Sequence, residues 1–404
     1  MAEGIWGRRK ERVRDVLVRV LVAAAWLFWG AGGVQAVDQK PPIKIGAMFA
    51  LSGPEAPIGI PNKLVAEMVV TQINLTGGIK GRRLELIIGD TGSDPAKAVT
   101  IAEKFIHTDK VAAIIGPTST PGSGLPVKKI VEKAGVPTFM CVGGDSVITG
   151  AKFGAFNYVF KPQQRDSVAI KKLFAYLRKK KITSVGVLYA SDPFGKDGVR
   201  WMAKLAPDYG ITLEAKESFG PRDTDVTAQL IRIKNAKPQA IICWTRGPAA
   251  AMVAKNKARL GLKLPLFQGY GLLDPQYIEL AGKAAEGNRM PSTKLMVAAQ
   301  LPNNDPQKKV IQHFIYLYRN VYHYDKQFPL TPHSGCVWDA ITMVADALRK
   351  AGTDPKALRT AIEGTRGYVG VSGIYDLTPK DHNGLEPDSM VIIQVKNGKL
   401  VLAK

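Results

Sequence analysis

Two glycine-rich segments carry the residues best suited to chemistry in this chain. Gly116-Pro117-Thr118-Ser119-Thr120 follows an apolar run, and its two last hydroxyls stand where a helix is expected to begin. Hydroxyls beside the free amides of a helix end form an anion-binding geometry, and ordinary N-capping is the plainer use of the same residues. Gly143-Gly144-Asp145-Ser146 repeats the design after the next apolar run. Motifs for catalysis are weak or missing. Gly269-x-Gly271-x-x-Asp274 resembles a dinucleotide loop but lacks its third glycine, and a turn explains it as well. Gly116–Thr120 has no GK[ST] after it, and no GxSxG supplies a hydrolase nucleophile. The Asp223/Asp225 pair sits at an expected helix entrance, where capping accounts for it. His107, His313, His323, His333 and His382 show no zinc spacing. Cys141, Cys243 and Cys336 fall in apolar patterns and read as buried thiols, so no cofactor or metal is expected.

The elements that position these loops alternate between strand and helix. Residues 43–49 form an apolar strand, Ser52-Gly53-Pro54 a loop, and Leu64, Val65, Met68, Val69 and Ile73 one face of a helix. Gly77-Gly78-Ile79-Lys80-Gly81 stops it, and a second strand follows over 83–89. This βαβ unit puts its first loop where such sheets hold ligands. Helix 95–107, strand 111–115, helix 119–133 and strand 137–141 continue the series, with Asp94 and Pro95 as helix-start signals. A second series begins after Lys161-Pro162: helix 165–180, strand 185–189, helix 195–206, strand 211–217, helix 225–235, strand 240–243, helix 248–260 and strand 265–268. Helices 305–322, 335–351 and 355–363 precede β segments at 373–376, 390–395 and 400–402. The expected fold is α/β, with two doubly wound Rossmann-like lobes. The last 115 residues cannot make a lobe in this order and are expected to be shared between both. Lobe 1 is assigned 42–161 plus 291–366, and lobe 2 is assigned 162–290 plus 367–404.

The N-terminus sets the expected compartment. Arg8, Arg9, Lys10, Arg12, Arg14 and Arg19 precede the uncharged run 20–33, and Val34-Gln35-Ala36 ends it with small residues at the two positions read by a signal peptidase. That is the three-part pattern of a secretory signal, with cleavage expected after Ala36 and the mature protein in the periplasm. An uncleaved anchor is the alternative. Residues 1–36 hold six basic and three acidic residues, so the charge falls from +22 to +19 on removal. Export and the scatter of the positive residues argue against a nucleic-acid partner. About 370 residues remain, enough for two domains whose stability rests on their cores.

The segments LSGPEAPIG, INLTGGIKGRRLEL, DTGSDPAKAV, IIGPTST, YASDPFGKDG, DTDVTAQLIRIKNAKPQAII and AGKAAEGN carry a resemblance. The chain resembles, over 43–404, the periplasmic binding proteins of branched-chain amino acid ABC importers, the leucine/isoleucine/valine-binding type. The resemblance implies a type I fold of two lobes joined by three crossovers that close on a small ligand like a hinge. It implies a monomer that delivers its ligand to a permease and ATPase and does no chemistry itself. A sensory receptor on the same fold, and an enzyme with an unrecognised site, stay open.

Carried onto this chain, the ligand-binding positions are Ile58, Ser119, Thr120, Gly143, Gly144, Asp145, Phe194, Trp244, Arg246, Tyr270 and His333. Ile58 stands where the family places a tyrosine or tryptophan, and Phe194 where it places a tyrosine. Gly144 replaces a threonine and offers only an amide. The tyrosine and glutamate that hold an α-ammonium in the family fall on Arg246 and Tyr270. A buried ammonium needs an anion, and arginine is a permanent cation and pure donor. The substitution therefore predicts a small carboxylate or amide-like ligand without an α-ammonium, with Phe194, Trp244, Tyr270 and Ile58 as apolar walls. Asp145 is a candidate replacement anion or a cap. The competing expectation is a branched-chain amino acid, with Arg246 turned to solvent.

Overall fold

A computed structural model describes residues 40–404 other than Thr120, 151–152, 221–222, Gly271 and 273–274. The signal-sequence expectation over 1–36 lies outside the described residues.

In the first lobe, strands β1 (Ile43–Phe49), β2 (Leu84–Asp90), β3 (Ala113–Ser119), β4 (Thr138–Val142) and β5 (Val159–Phe160) form a parallel sheet of order β2-β1-β3-β4-β5. Every residue of β4 is buried, which is the pattern of a strand covered on both faces. Helix α1 (Ala56–Leu75) covers one face and α2 (Pro95–Glu103) and α3 (Pro121–Ala134) the other. Ser119 closes β3 instead of opening a helix, so the helix expected from 119 begins two residues later.

The second lobe repeats the winding. Strands β6 (Ser184–Ala190), β7 (Thr212–Phe219), β8 (Ala240–Trp244), β9 (Leu266–Gln268) and β10 (Arg289–Thr293) take the order β7-β6-β8-β9-β10, and β13 (Met390–Lys396) and β14 (Lys399–Leu402) extend it antiparallel. Helices α4 (Asp166–Lys179) and α5 (Pro193–Leu205) pack on one face; α6 (Thr227–Asn235), α7 (Pro248–Arg259) and α8 (Pro275–Ala281) pack on the other. Strand β10 was not expected from sequence, because Pro291 interrupts a short run and argues against a central strand. The same close approach opens the helix that follows the first strand of each lobe. A Cβ on Gly59 would stand 1.9 Å from the Ala50 carbonyl oxygen, and one on Gly195 would stand 1.9 Å from that of Ala190. Each glycine lets a helix start against the end of its own strand.

The two sheets are joined three times: between Phe160 and Asp166, after Thr293, and between Leu385 and Met390. After the second crossing, α9 (Lys308–Tyr316), α10 (Pro332–Ala351) and α11 (Pro355–Glu363) return to the first lobe, as does the small hairpin of β11 (Tyr368–Val369) and β12 (Ile374–Tyr375). Val371, Tyr375, Leu377 and Leu385 lie in the first lobe's core, so the lobe boundary placed at 366/367 moves to 385–390. Hydrogen bonds hold this segment there. Tyr375 Oη donates to Pro162 O at 2.6 Å, Asn383 Nδ2 to Lys161 O at 2.7 Å and Gln163 O at 2.8 Å, and Gln164 Nε2 to Ser372 O at 2.5 Å. Among the described residues, no helix is long and apolar enough to cross a membrane.

A main-chain oxygen cannot step aside for a methyl group as a flexible side chain can. Gly195→Ala should therefore lower stability by about 1–3 kcal/mol, the usual cost of overpacking, read from the urea-unfolding midpoint.

Candidate functional site

The carboxyl ends of the parallel strands in the two lobes meet across a cleft, where open α/β sheets hold their ligands. Gly143, Gly144 and Asp145 leave β4; Asp192 and Phe194 leave β6; Trp244 and Arg246 leave β8; and Tyr270 leaves β9. Phe194, Trp244 and Tyr270 form an aromatic cluster with ring centroids 5.7–6.0 Å apart. The three rings are buried. This cluster faces the first lobe directly. A Cβ on Gly143 would lie 3.1 Å from the Phe194 ring, and the Gly144 amide donates to Tyr270 Oη at 3.4 Å. Tyr270 Oη also donates to Gln164 O at 3.2 Å. Burial and the neighbouring Asp166 and Asp145 carboxylates hold the Tyr270 phenol well above its ordinary pKa, so it stays a neutral donor.

Arg246 neither points to solvent nor stands unpaired. Its Nη1 lies 3.3 Å from Glu55 Oε1 of the first lobe, its Nη2 lies 3.6 Å from Asp192 Oδ2 of the second, and its guanidinium sits 5.9 Å from the Phe194 ring centroid. Glu55 precedes α1, and Asp192 caps α5 by accepting from the Gly195 amide at 2.8 Å. The arginine thus spans the cleft as a latch.

Asp145 takes the capping role. Its carboxylate accepts from the Asp166 amide at 2.8 Å and the Ser167 hydroxyl at 2.8 Å, at the start of α4 in the other lobe. Its own amide donates to Asp197 Oδ2 of α5 at 3.0 Å. A carboxylate at a helix N-terminus meets free amides and the positive end of the dipole. Ser146 begins only a three-residue turn.

The remaining candidates sit at the margin. Ile58 is half-buried in the first turn of α1, and its amide donates to Glu55 O at 2.9 Å. His333, in the first turn of α10, lies 3.3 Å from Gln163 Nε2 through its Nδ1. Ser119 ends β3, and Thr120 lies outside the described residues. Sequence reading missed Glu55, Lys161, Asp166, Asp192 and Asp197. Glu55 and Asp192 were visible as acids opening the helix that follows the first strand of each lobe, while the others become significant only when the lobes meet.

The family model for the periplasmic binding protein matches residues 42–399. The chain belongs to the periplasmic binding protein family. Among curated relatives of this family, the chain is 23% identical over 324 residues to the Leu/Ile/Val-binding protein homolog 1 of Brucella suis, a match spanning 80% of this chain and 82% of the relative. It is 24% identical over 325 residues to the leucine-, isoleucine-, valine-, threonine- and alanine-binding protein of Pseudomonas aeruginosa, spanning 79% of this chain and 82% of the relative. An extracellular ligand-binding receptor from Rhodopseudomonas palustris HaA2 superposes with a TM-score of 0.79 at 27% identity, covering 90% of this chain and 99% of that one. A branched-chain amino acid transporter substrate-binding protein of Streptococcus pneumoniae, solved with isoleucine, shares the fold at a TM-score of 0.75 and 24% identity, covering 90% and 99%. The type I periplasmic binding protein architecture therefore holds for this chain, and the relatives it is similar to include proteins of the branched-chain amino acid type.

The latch is partly exposed, so its contribution is modest. Glu55→Gln removes one partner and should shift ligand binding about 1.5–5-fold, the equivalent of about 0.2–1 kcal/mol for such a pair: weaker for an ammonium-bearing ligand that leaves the latch intact, tighter for a carboxylate that must displace Glu55. Titration calorimetry at low and high salt checks this, and the gap between wild type and variant should narrow as salt rises.

Proposed function

We propose that this chain is the extracytoplasmic solute-binding component of an ABC importer, exported through a signal sequence cleaved after Ala36 and acting by hinge closure rather than catalysis. The observation that carries this reading is the set of contacts made across the cleft by Arg246, Tyr270 and Asp145, between lobes joined by three short crossings. Such contacts form only when the lobes close, and closure hands a sequestered ligand to a permease.

The ligand this site suits best is a small carboxylate without an α-ammonium. Aromatic rings supply the apolar walls. The latch distances of 3.3 and 3.6 Å exceed the 2.7–2.9 Å of a committed charge-assisted bond, and Arg246 Nε is buried without a partner. A ligand carboxylate can therefore take the guanidinium fork from Glu55 and Asp192. A second reading has its own support. Glu55, Asp192 and Arg246 sum to one negative charge at the corner where an ammonium would sit, and the named relatives are leucine/isoleucine/valine-binding proteins. That reading assigns a branched-chain amino acid.

Calorimetry with leucine, valine, benzoate-type acids and short-chain acids separates the two. A carboxylate ligand should bind in preference to leucine and lose tenfold or more in affinity with Arg246→Ala. Tight leucine binding that survives Arg246→Ala would sink the carboxylate reading.

A further inference from the structure

The floor of the cleft holds an unbalanced set of buried charges. Asp145 comes from the loop after β4, Asp166 from the first turn of α4, and Asp197 from α5. All three are buried, and Asp166 is fully so. Asp145 touches the other two elements directly, through the Asp166 amide at 2.8 Å and Asp197 Oδ2 at 3.0 Å. The cations facing them are already allotted. Arg200 of α5 pairs with Asp197 at 2.7 Å, and Arg165 pairs with Asp381 at 3.4 Å. Lys161 is left as the main counter-charge for two carboxylates, with Arg165 a weaker one for Asp145, and the Lys161 ammonium donates to the main-chain oxygens of Gln163 at 2.9 Å and Gln164 at 2.5 Å. Tyr270, from the loop after β9, completes the ring of groups around Asp166 as a neutral phenol. Neither oxygen of Asp166 has a donor of good geometry, and the nearby Tyr270 hydroxyl, which donates to Gln164 O, offsets only part of that loss.

Two carboxylates sharing chiefly one ammonium in a site shut off from bulk solvent cannot both stay ionised, because the second charge lacks both bulk hydration and a close cation. We propose that closing the cleft takes up about one proton from solvent, held by the Asp145–Asp166 pair and released when the lobes part. Opening withdraws Gly144 and Asp145 from Tyr270 and Asp197 and admits water to Asp166. Its carboxyl then returns to the ordinary carboxylate range near 4. Burial raises both aspartates in the closed form, and the Asp145 and Asp197 charges raise Asp166 further. The sign follows from linkage. The closed form binds more protons, so acid favours closure, and the dependence flattens once pH falls below the ordinary carboxylate range. Lys161 carries the opposite sign. Burial lowers its pKa to about 8, so its response, opening favoured as pH falls, runs its course at and above about pH 8 and leaves the range below to the carboxylates.

The inference rests on hinge closure but not on the ligand, so it is tested on the ligand-free protein. Small-angle scattering from pH 8 to pH 5 should show the compact form gaining on the open one, with the closed-to-open ratio rising up to tenfold per pH unit. Asp166→Asn, which has no proton to lose, should make the ratio nearly independent of pH. Circular dichroism checks that this variant folds, and the wild-type titration decides the matter if it does not. A wild-type ratio that stays flat, or that falls in acid, overturns the inference while leaving hinge closure intact. A radius fixed at the compact value at every pH overturns hinge closure itself, and the inference with it.

Discussion

Asp145 is the residue through which one lobe holds the other. It leaves the first sheet with its carboxylate capping α4 of the second lobe, while its amide donates to Asp197 of α5. Helix α4 has no side-chain cap from its own flanking residue Arg165, so its start is completed by a residue from the facing lobe. A helix end left without such a partner in a buried place would carry unsatisfied amides. The contact therefore ties the local stability of α4 to the relative position of the lobes. The contacts of Phe194 with Gly143 and of Arg246 with Glu55 cross the same boundary between the lobes.

The first crossing explains how one residue can have this leverage. Lys161, Pro162, Gln163 and Gln164 are hydrogen-bonded through their main-chain oxygens or side chains to Ser372, Tyr375 and Asn383, all of the first lobe. Asp339 in α10 fixes the same segment by accepting from Val371 and Ser372 amides at 2.7 and 2.8 Å and from Tyr375 Oη at 2.9 Å. Burial raises the Asp339 pKa to about 6, which these three hydrogen bonds oppose. The chain is thus rigid up to Gln164 and enters α4 two residues later. The proposed rotation of one lobe against the other would fall, at this crossing, on the few residues between Gln164 and α4, the usual arrangement of a hinge.

Much of this architecture was legible from local pattern. Continuous apolar runs at 43–49 and 240–243, proline and aspartate at helix starts, and the repeated βα rhythm define two parallel sheets, and they place Gly143, Phe194, Trp244 and Tyr270 at strand ends. Three features were hidden for physical reasons. Strand β10 contains Pro291, which local propensity reads as a break, yet it is held between β9, the strand just before it, and β13, which comes from near the C-terminus. Residues 367–385 carry no signal of lobe membership, because that depends on which core receives Val371, Tyr375 and Leu385. The partners of Arg246 lie 191 and 54 residues away, and no spacing rule couples positions that meet only on closure.

That last omission alters what the arginine means. Taken alone, a cation in place of an ammonium-binding acid excludes amino acids. Placed between Glu55 and Asp192, it becomes one member of a group whose net charge is negative, and its preference depends on geometry. A carboxylate ligand gains a planar two-donor fork but must displace two carboxylates, which remain close by and repel it. An ammonium ligand leaves the latch intact and gains from the excess negative charge, but only if it reaches Glu55 or Asp192 without meeting the guanidinium. The latch is about a quarter exposed on every side chain, so water softens both terms and neither charge sign is excluded by a large margin. Selectivity must then come from the buried part of the site. There the Phe194, Trp244 and Tyr270 rings and the Gly144 amide are fixed, and shape complementarity to an apolar body outweighs the choice of ionic head.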